Sequence, residues 1–150
     1  MVSGYNLSGS FNSNLRKPLL KQQETTGNNM KGYVTLGTND LSSAVHFYEQ
    51  LLESLGVKRQ SECPRSVYFG SESGPELVVC TPLDEKSATA GNGTMVALKI
   101  DNQEKIRELH ALAIELGGTD EGAPGPRGTG TFWGAYFRDL DGNKLVFFAD

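Results

Sequence analysis

Thr131 to Ala149 reads TFWGAYFRDLDGNKLVFFA, two apolar runs separated by Asp141, Gly142 and Asn143. The runs Trp133 to Arg138 and Lys144 to Phe148 are rich in aromatic and β-branched residues. Asp-Gly-Asn between them supplies the positive-φ position that a tight reversal needs, with Gly142 the residue least able to accept a side chain. The stretch therefore predicts a closing β-hairpin. Alternation along its first strand places Gly134, Tyr136 and Arg138 on one face and Trp133, Ala135 and Phe137 on the other. One face is mixed and the other apolar.

Upstream of the hairpin the same pattern occurs twice. Tyr33 to Thr38 alternates as a strand and ends at Asn39 and Asp40, both good helix N-caps. Leu41, Ala44, Val45, Tyr48, Leu51, Leu52 and Leu55 then recur at helical spacing, with Gly56 as the stop. Short strands follow near Val57 to Gln60, Ser66 to Gly70 and Glu76 to Thr81, with a turn at Ser73-Gly74-Pro75. After a polar linker, Pro82 to Gly93, comes a strand over Thr94 to Ile100 and a cap at Asp101-Asn102. The next helix carries its stripe on Ile106, Leu109, Ala113 and Leu116 and stops at Gly117-Gly118, before three further strands. Gly122 to Gly130 reads as a loop. It is not a phosphate-binding loop, because a strand rather than a helix N-terminus follows the glycines. The class is α+β: two tandem βαβββ modules, about residues 30–82 and 93–150, whose curved mixed sheets carry a helix on one face and line a cavity with the other.

Composition narrows the function. At 150 residues, with 37% hydrophobic and 21% charged, one core suffices. A net charge of -4 argues against a nucleic-acid surface, which needs a basic face. Cys63 and Cys80 are too few for a disulfide framework and are not spaced as a metal knuckle, so both read as free thiols of a reducing compartment. No apolar run is long enough to span a membrane, and residues 1–29 lack the apolar core of a signal peptide. A cytoplasmic protein is expected, with neither nucleic acid nor membrane among its partners. Residues 1–29 read as a flexible extension or leader ahead of a single domain, 30–150. Their stripe of Phe11, Leu15, Leu19 and Leu20 is the one feature that could dock on a partner.

The aromatic strand, Asp-x-Asp-Gly-Asn turn and apolar strand resemble the C-terminus of the vicinal oxygen chelate superfamily, which includes glyoxalase I, bleomycin- and fosfomycin-resistance proteins and extradiol dioxygenases. Gly32 to Leu41, GYVTLGTNDL, followed by a helix with Phe47-Tyr48, is similar to the family's first strand and helix. Pro75-Glu76-Leu77, Ala88 to Thr94 and Gly117 to Gly125 resemble a small bacterial glyoxalase-like subgroup. The resemblance spans Met30 to Phe148 and implies the glyoxalase/bleomycin-resistance fold, with the active site in the cavity and one divalent metal held there by His, Glu or Gln.

Carried over position by position, those ligands fall on Tyr33, Met95 and Val146. A phenol must lose its proton to compete, a thioether suits soft metals, and valine has no lone pair. The other candidate donors are placed poorly: His46 and His110 lie mid-helix, Glu62 and Glu76 near strand starts, and Asp139 and Asp141 in a turn. No metal and no cofactor are therefore expected. The ligand-binding residues expected from the alternation and the resemblance are Tyr33, Thr35, Tyr68, Met95, Arg127, Tyr136, Arg138, Val146 and Phe148. Together they suit a small organic molecule, like the drug-sequestering branch of the superfamily. Two other functions fit the same residues: an enzyme with a non-standard site in which Tyr33 or Tyr136 works as acid or base, and a structural protein whose cavity has closed. A homodimer is expected, since sheet edges in this superfamily often pair across chains.

Overall fold

A computed structural model of the chain describes residues 32–72 and 76–150. The expected N-terminal extension, 1–29, and the Ser73-Gly74-Pro75 turn lie outside the described residues. The elements run β1 (Tyr33–Gly37), α1 (Leu41–Glu53), β2 (Lys58–Cys63), β3 (Ser66–Gly70), β4 (Glu76–Cys80), β5 (Val96–Lys99), α2 (Gln103–Glu115), β6 (Thr119–Pro126), β7 (Trp133–Arg138) and β8 (Lys144–Ala149). They form two four-stranded sheets of identical plan, β1-β4-β3-β2 and β5-β8-β7-β6. In each, the strand before the helix returns to pair parallel with the last strand, and the other pairs are antiparallel. This is the duplicated βαβββ plan the sequence repeats.

The helices form where cap and stripe coincide. Asp40 accepts from the Ser43 N–H at 3.0 Å and Asn102 from the Lys105 N–H at 3.0 Å, satisfying first-turn donors that have no partner within the helix. The Ser43 bonds also hold the Asp40 carboxyl below its usual range. α1 buries Ala44, Val45, Phe47, Tyr48, Leu51 and Leu52, and α2 buries Ile106, Leu109, His110 and Ala113. Those faces meet Leu36, Val67, Phe69, Leu77 and Val79 of the first sheet and Trp133, Ala135, Phe137, Leu145 and Phe147 of the second in one continuous core. The two helices also touch each other.

Several boundaries differ from the sequence reading, and β2 runs on to Cys63 rather than ending near Gln60. Residues 122–126, expected in a loop, extend β6, the edge strand of the second sheet. An edge tolerates prolines, because a strand there needs to donate on one side only, and irregular register between Asp120 and Gly125 absorbs the glycines. Conversely, Thr94 and Met95 precede β5 rather than opening it, since the Thr94 N–H turns back to the Gly91 carbonyl.

The hairpin turn does more than reverse the chain. Gly142 takes φ +86°, and the buried Asp139 organises everything around it. Its Oδ1 accepts from the backbone N–H of Asp141 and Asn143, and its Oδ2 from the Asn143 amide and from the Tyr48 hydroxyl of α1, the last at 2.7 Å. Asn143 in turn donates to the Gly37 carbonyl at the end of β1. Asp141 accepts from the Asn39 backbone and side chain, and Asn39 holds the linker through the Ala88 N–H. The second module's turn is thus the clasp that joins β1, α1 and the linker. Burial and the neighbouring Asp139 charge push the Tyr48 hydroxyl well above its usual pKa of 10.0.

Candidate functional site

The helix-free face of the second sheet can be built row by row from its register. Met95 lies just before Val96, the partner of Leu145, and Lys144 pairs with Arg138 on the neighbouring strand. Ala97, Val146, Tyr136 and Gly122 form the next row, and Lys99, Phe148, Gly134 and Gly125 the third. The face therefore grades from cationic at one end to aromatic at the other.

At the cationic end the register shift between Asp120 and Gly122 leaves Glu121 unpaired in the ladder. Its carboxylate takes the Arg138 Nε on one oxygen and the Lys144 Nζ, at 3.2 Å, on the other. Those bonds, Arg138 first, hold the Glu121 carboxyl below its usual range. Arg138 also donates to the Gly142 carbonyl at 2.7 Å. Arg138 and Lys144, with Met95 and the loop from Ala90 to Thr94, line an open cleft of about 600 Å³.

Tyr136 occupies the middle, its ring 5.3 Å from the Arg127 guanidinium and 5.4 Å from the Lys144 ammonium, both within cation–π range. Arg127 crosses back over β6, donating to the Ala123 and Pro126 carbonyls, and fills the space above Gly122. On the opposite side of the sheet, buried His110 contacts the Tyr136 carbonyl at 3.1 Å and Asp120 at 3.2 Å, so it ties α2 to β6 and β7. His46 stands on the exposed side of α1 beside Gln50.

At the aromatic end Phe132, a residue missing from the expected site, stacks on Phe148 with ring centres 5.1 Å apart. A Cβ at Gly134 would come 3.0 Å from the Phe132 ring and 3.2 Å from Val146, so Gly134 is the space that lets Phe132 lie on the sheet. Beneath it Val146 is 0% exposed. Alternation carried two residues back from Gly134 is the signal that finds Phe132. Gly134→Ala should lift that ring and cost about 1–3 kcal/mol, as overpacking does in a tight site, measured by urea unfolding.

The first sheet's helix-free face differs in character. Thr35, Val78, Tyr68 and Ser61 share one row, and Gly37, Cys80, Ser66 and Cys63 the next. Tyr33 meets Tyr68 edge to face, with centres 5.8 Å apart, yet remains 58% exposed. Cys63 and Cys80 are free thiols. The structure thus groups Met95, Arg127, Tyr136, Arg138, Val146 and Phe148 on one sheet and Tyr33, Thr35 and Tyr68 on the other. Val146 forms an enclosed floor, and Phe148 extends into a second, apolar cleft of about 460 Å³ with Leu52, Leu55, Leu77 and Ile100.

The residues at the family's metal positions do not fit a divalent ion. Val146 offers no donor and has no open side, Met95 offers a thioether, and the Tyr33 ring packs on Tyr68. Among the described residues no group of three or more His, Cys, Asp or Glu side chains is placed to hold a metal ion.

Two duplicated βαβββ modules of this topology define the vicinal oxygen chelate class of α+β folds. Residues 32–147 match the family model described as Glyoxalase/Bleomycin resistance protein/Dioxygenase superfamily, and the chain belongs to that family. It is similar to a glyoxalase/bleomycin resistance protein from Albidiferax ferrireducens T118, at 32% identity over 81% of this chain and 99% of that one, with a TM-score of 0.73. A hypothetical protein from S. aureus is 24% identical over 83% of this chain and 96% of that one, TM-score 0.65. A lactoylglutathione lyase from Agrobacterium tumefaciens, 18% identical over 83% of this chain and 95% of that one at TM-score 0.61, shares the fold. Comparison with curated proteins gives no match. Among the described residues no helix is long and apolar enough to cross a membrane.

Proposed function

We propose that this chain binds a small organic molecule without the help of a metal ion, on the helix-free face of its second sheet, in the cytoplasm. One observation carries the reading. Two of the three family ligand positions on that face or beside it hold Met95 and Val146, while an open cleft alongside is lined by Met95, Arg138 and Lys144. A site of this kind has apolar surface for contact area and a few polar groups for orientation. The protein as purified should carry less than a tenth of an equivalent of zinc, nickel, manganese or iron, and chelator should leave its melting temperature unchanged. One equivalent of metal whose removal lowers that temperature defeats the reading. A fragment library of neutral, cationic and anionic compounds, screened by ligand-observed NMR on the metal-free protein, tests binding itself, and a screen without hits removes it.

The same proposal includes a homodimer. β1 is an edge strand whose Tyr33 and Val34 point to opposite faces and are 58% and 43% exposed, an apolar edge that a second copy would cover. Light scattering at high micromolar concentration should give twice the chain mass, and a monomer there rules the dimer out.

A further inference from the structure

The cleft walled by residues 90–95, Arg138 and Lys144 shows an arrangement that folding alone does not call for. Arg138 and Lys144 are direct cross-strand partners on β7 and β8, and like charges in that relation repel. The sheet tolerates them because Glu121 enters between them from the irregular register of β6 and bonds both. Two cations against one carboxylate still leave a positive excess at the cleft mouth, with Arg127 a third cation beside Tyr136. The chain as a whole runs the other way, with 18 acidic against 14 basic residues. Positive charge is therefore concentrated on the face that also carries the cleft.

The size of the cleft and the side chains at its edge say more. A cleft of about 600 Å³ is far larger than an inorganic anion needs, and Met95, 43% exposed, offers a soft apolar surface at its edge. Gly91 leaves room for the Thr94 hydroxyl to fold back, 2.6 Å from where a Cβ would stand, so a neutral hydroxyl also borders the cleft. From these features, and resting on the metal-free binding reading above, we propose that the ligand is a small organic acid. Its carboxylate or phosphate is held by Arg138 and Lys144, and its apolar body lies on Met95. Glu121 is the internal competitor: it occupies the same donors, and the ligand's anion shares or displaces it. Arg supplies a planar fork suited to such a group, and Lys a mobile point charge.

The roles predict opposite effects for two neighbouring substitutions. Binding is measured by NMR titration of the full chain with phenylacetate, phenyl phosphate and neutral phenylacetamide, following backbone signals of Thr94, Met95 and Lys144. Both anions should bind, and the amide should bind about tenfold more weakly, since a charge-assisted bond adds roughly 1.5 kcal/mol over a neutral one. Glu121→Gln should tighten the anions severalfold, Lys144→Gln should weaken them severalfold, and binding of the amide should change less than that of the anions in both variants. Raised salt should weaken only the anions. Melting temperatures confirm that both variants remain folded, and Lys144→Met serves as a second variant that keeps the apolar stem if Lys144→Gln does not fold. Equal binding of acid and amide overturns the inference while leaving the metal-free binding reading standing. So does anion binding indifferent to both substitutions. Absence of binding by all three probes overturns it too, and the broader fragment screen then decides separately whether the cleft binds organic molecules of another charge.

Discussion

Asp139→Ala should lower the unfolding free energy by roughly 3–5 kcal/mol, because it leaves several donors buried without an acceptor. The carboxylate serves the Asp141 and Asn143 N–H groups, the Asn143 amide and the Tyr48 hydroxyl at once. Its loss loosens the turn and, through Asn143, the contact with Gly37 on β1. Tyr48→Phe removes one donor only and should cost less, about 1–3 kcal/mol, with the carboxylate still served by the turn. The two variants part in alkaline solution. The folded-state pKa of Tyr48 is raised above 10.0, so above that pH the unfolded chain releases a proton that the folded chain retains. Stability from this group is complete below pH 10 and is lost as pH rises toward the folded value, by about 1.4 kcal/mol per pH unit. Urea unfolding from pH 8 to 11 should show the wild type losing stability faster than Tyr48→Phe. Parallel curves would mean that the hydroxyl is not buried against Asp139.

How far the sequence reveals this molecule depends on whether the signal is local. The hairpin is legible because Trp133–Arg138 and Lys144–Ala149 are aromatic and β-branched on both sides of a glycine that takes positive φ. The helices are legible because caps at Asp40 and Asn102 stand directly before their apolar stripes. β6 is not, since Gly and Pro favour loops in isolation and only its place at a sheet edge makes them acceptable. The same irregular register hides Glu121 from any alternation argument, although it turns out to hold Arg138 and Lys144 together. Asp139 and Asp141 read locally as turn formers, which they are. Their bonds to Tyr48 and Asn39 join residues far apart in the chain, and nothing nearby in the sequence encodes them. Alternation placed Val146 on the correct face but could not tell lining from floor. That depends on Phe132, which precedes the strand.

Val146→Glu should cost on the order of 3 kcal/mol, because a carboxyl group would then sit where no solvent reaches. Ala97 and Tyr136 flank the position across the sheet, and Phe132 lies over the adjoining Gly134, stacked on Phe148. In that setting the introduced group favours its protonated form, so its folded-state pKa lies above the unfolded value of about 4.3. A raised folded pKa means stability that is present at low pH and lost as pH climbs through the window between the two values. The penalty should accordingly be larger at pH 8 than at pH 4.5, with Val146→Thr, which adds a hydroxyl at nearly constant volume, showing a smaller and pH-independent loss. Denaturant midpoints at both pH values decide the matter. A loss below about 0.5 kcal/mol at pH 8, the range of ordinary surface substitutions, would show that Val146 opens onto water. The Phe132–Phe148 pair would then be a movable cover, and the binding face would extend from the cationic cleft down to the position the family uses for a metal ligand.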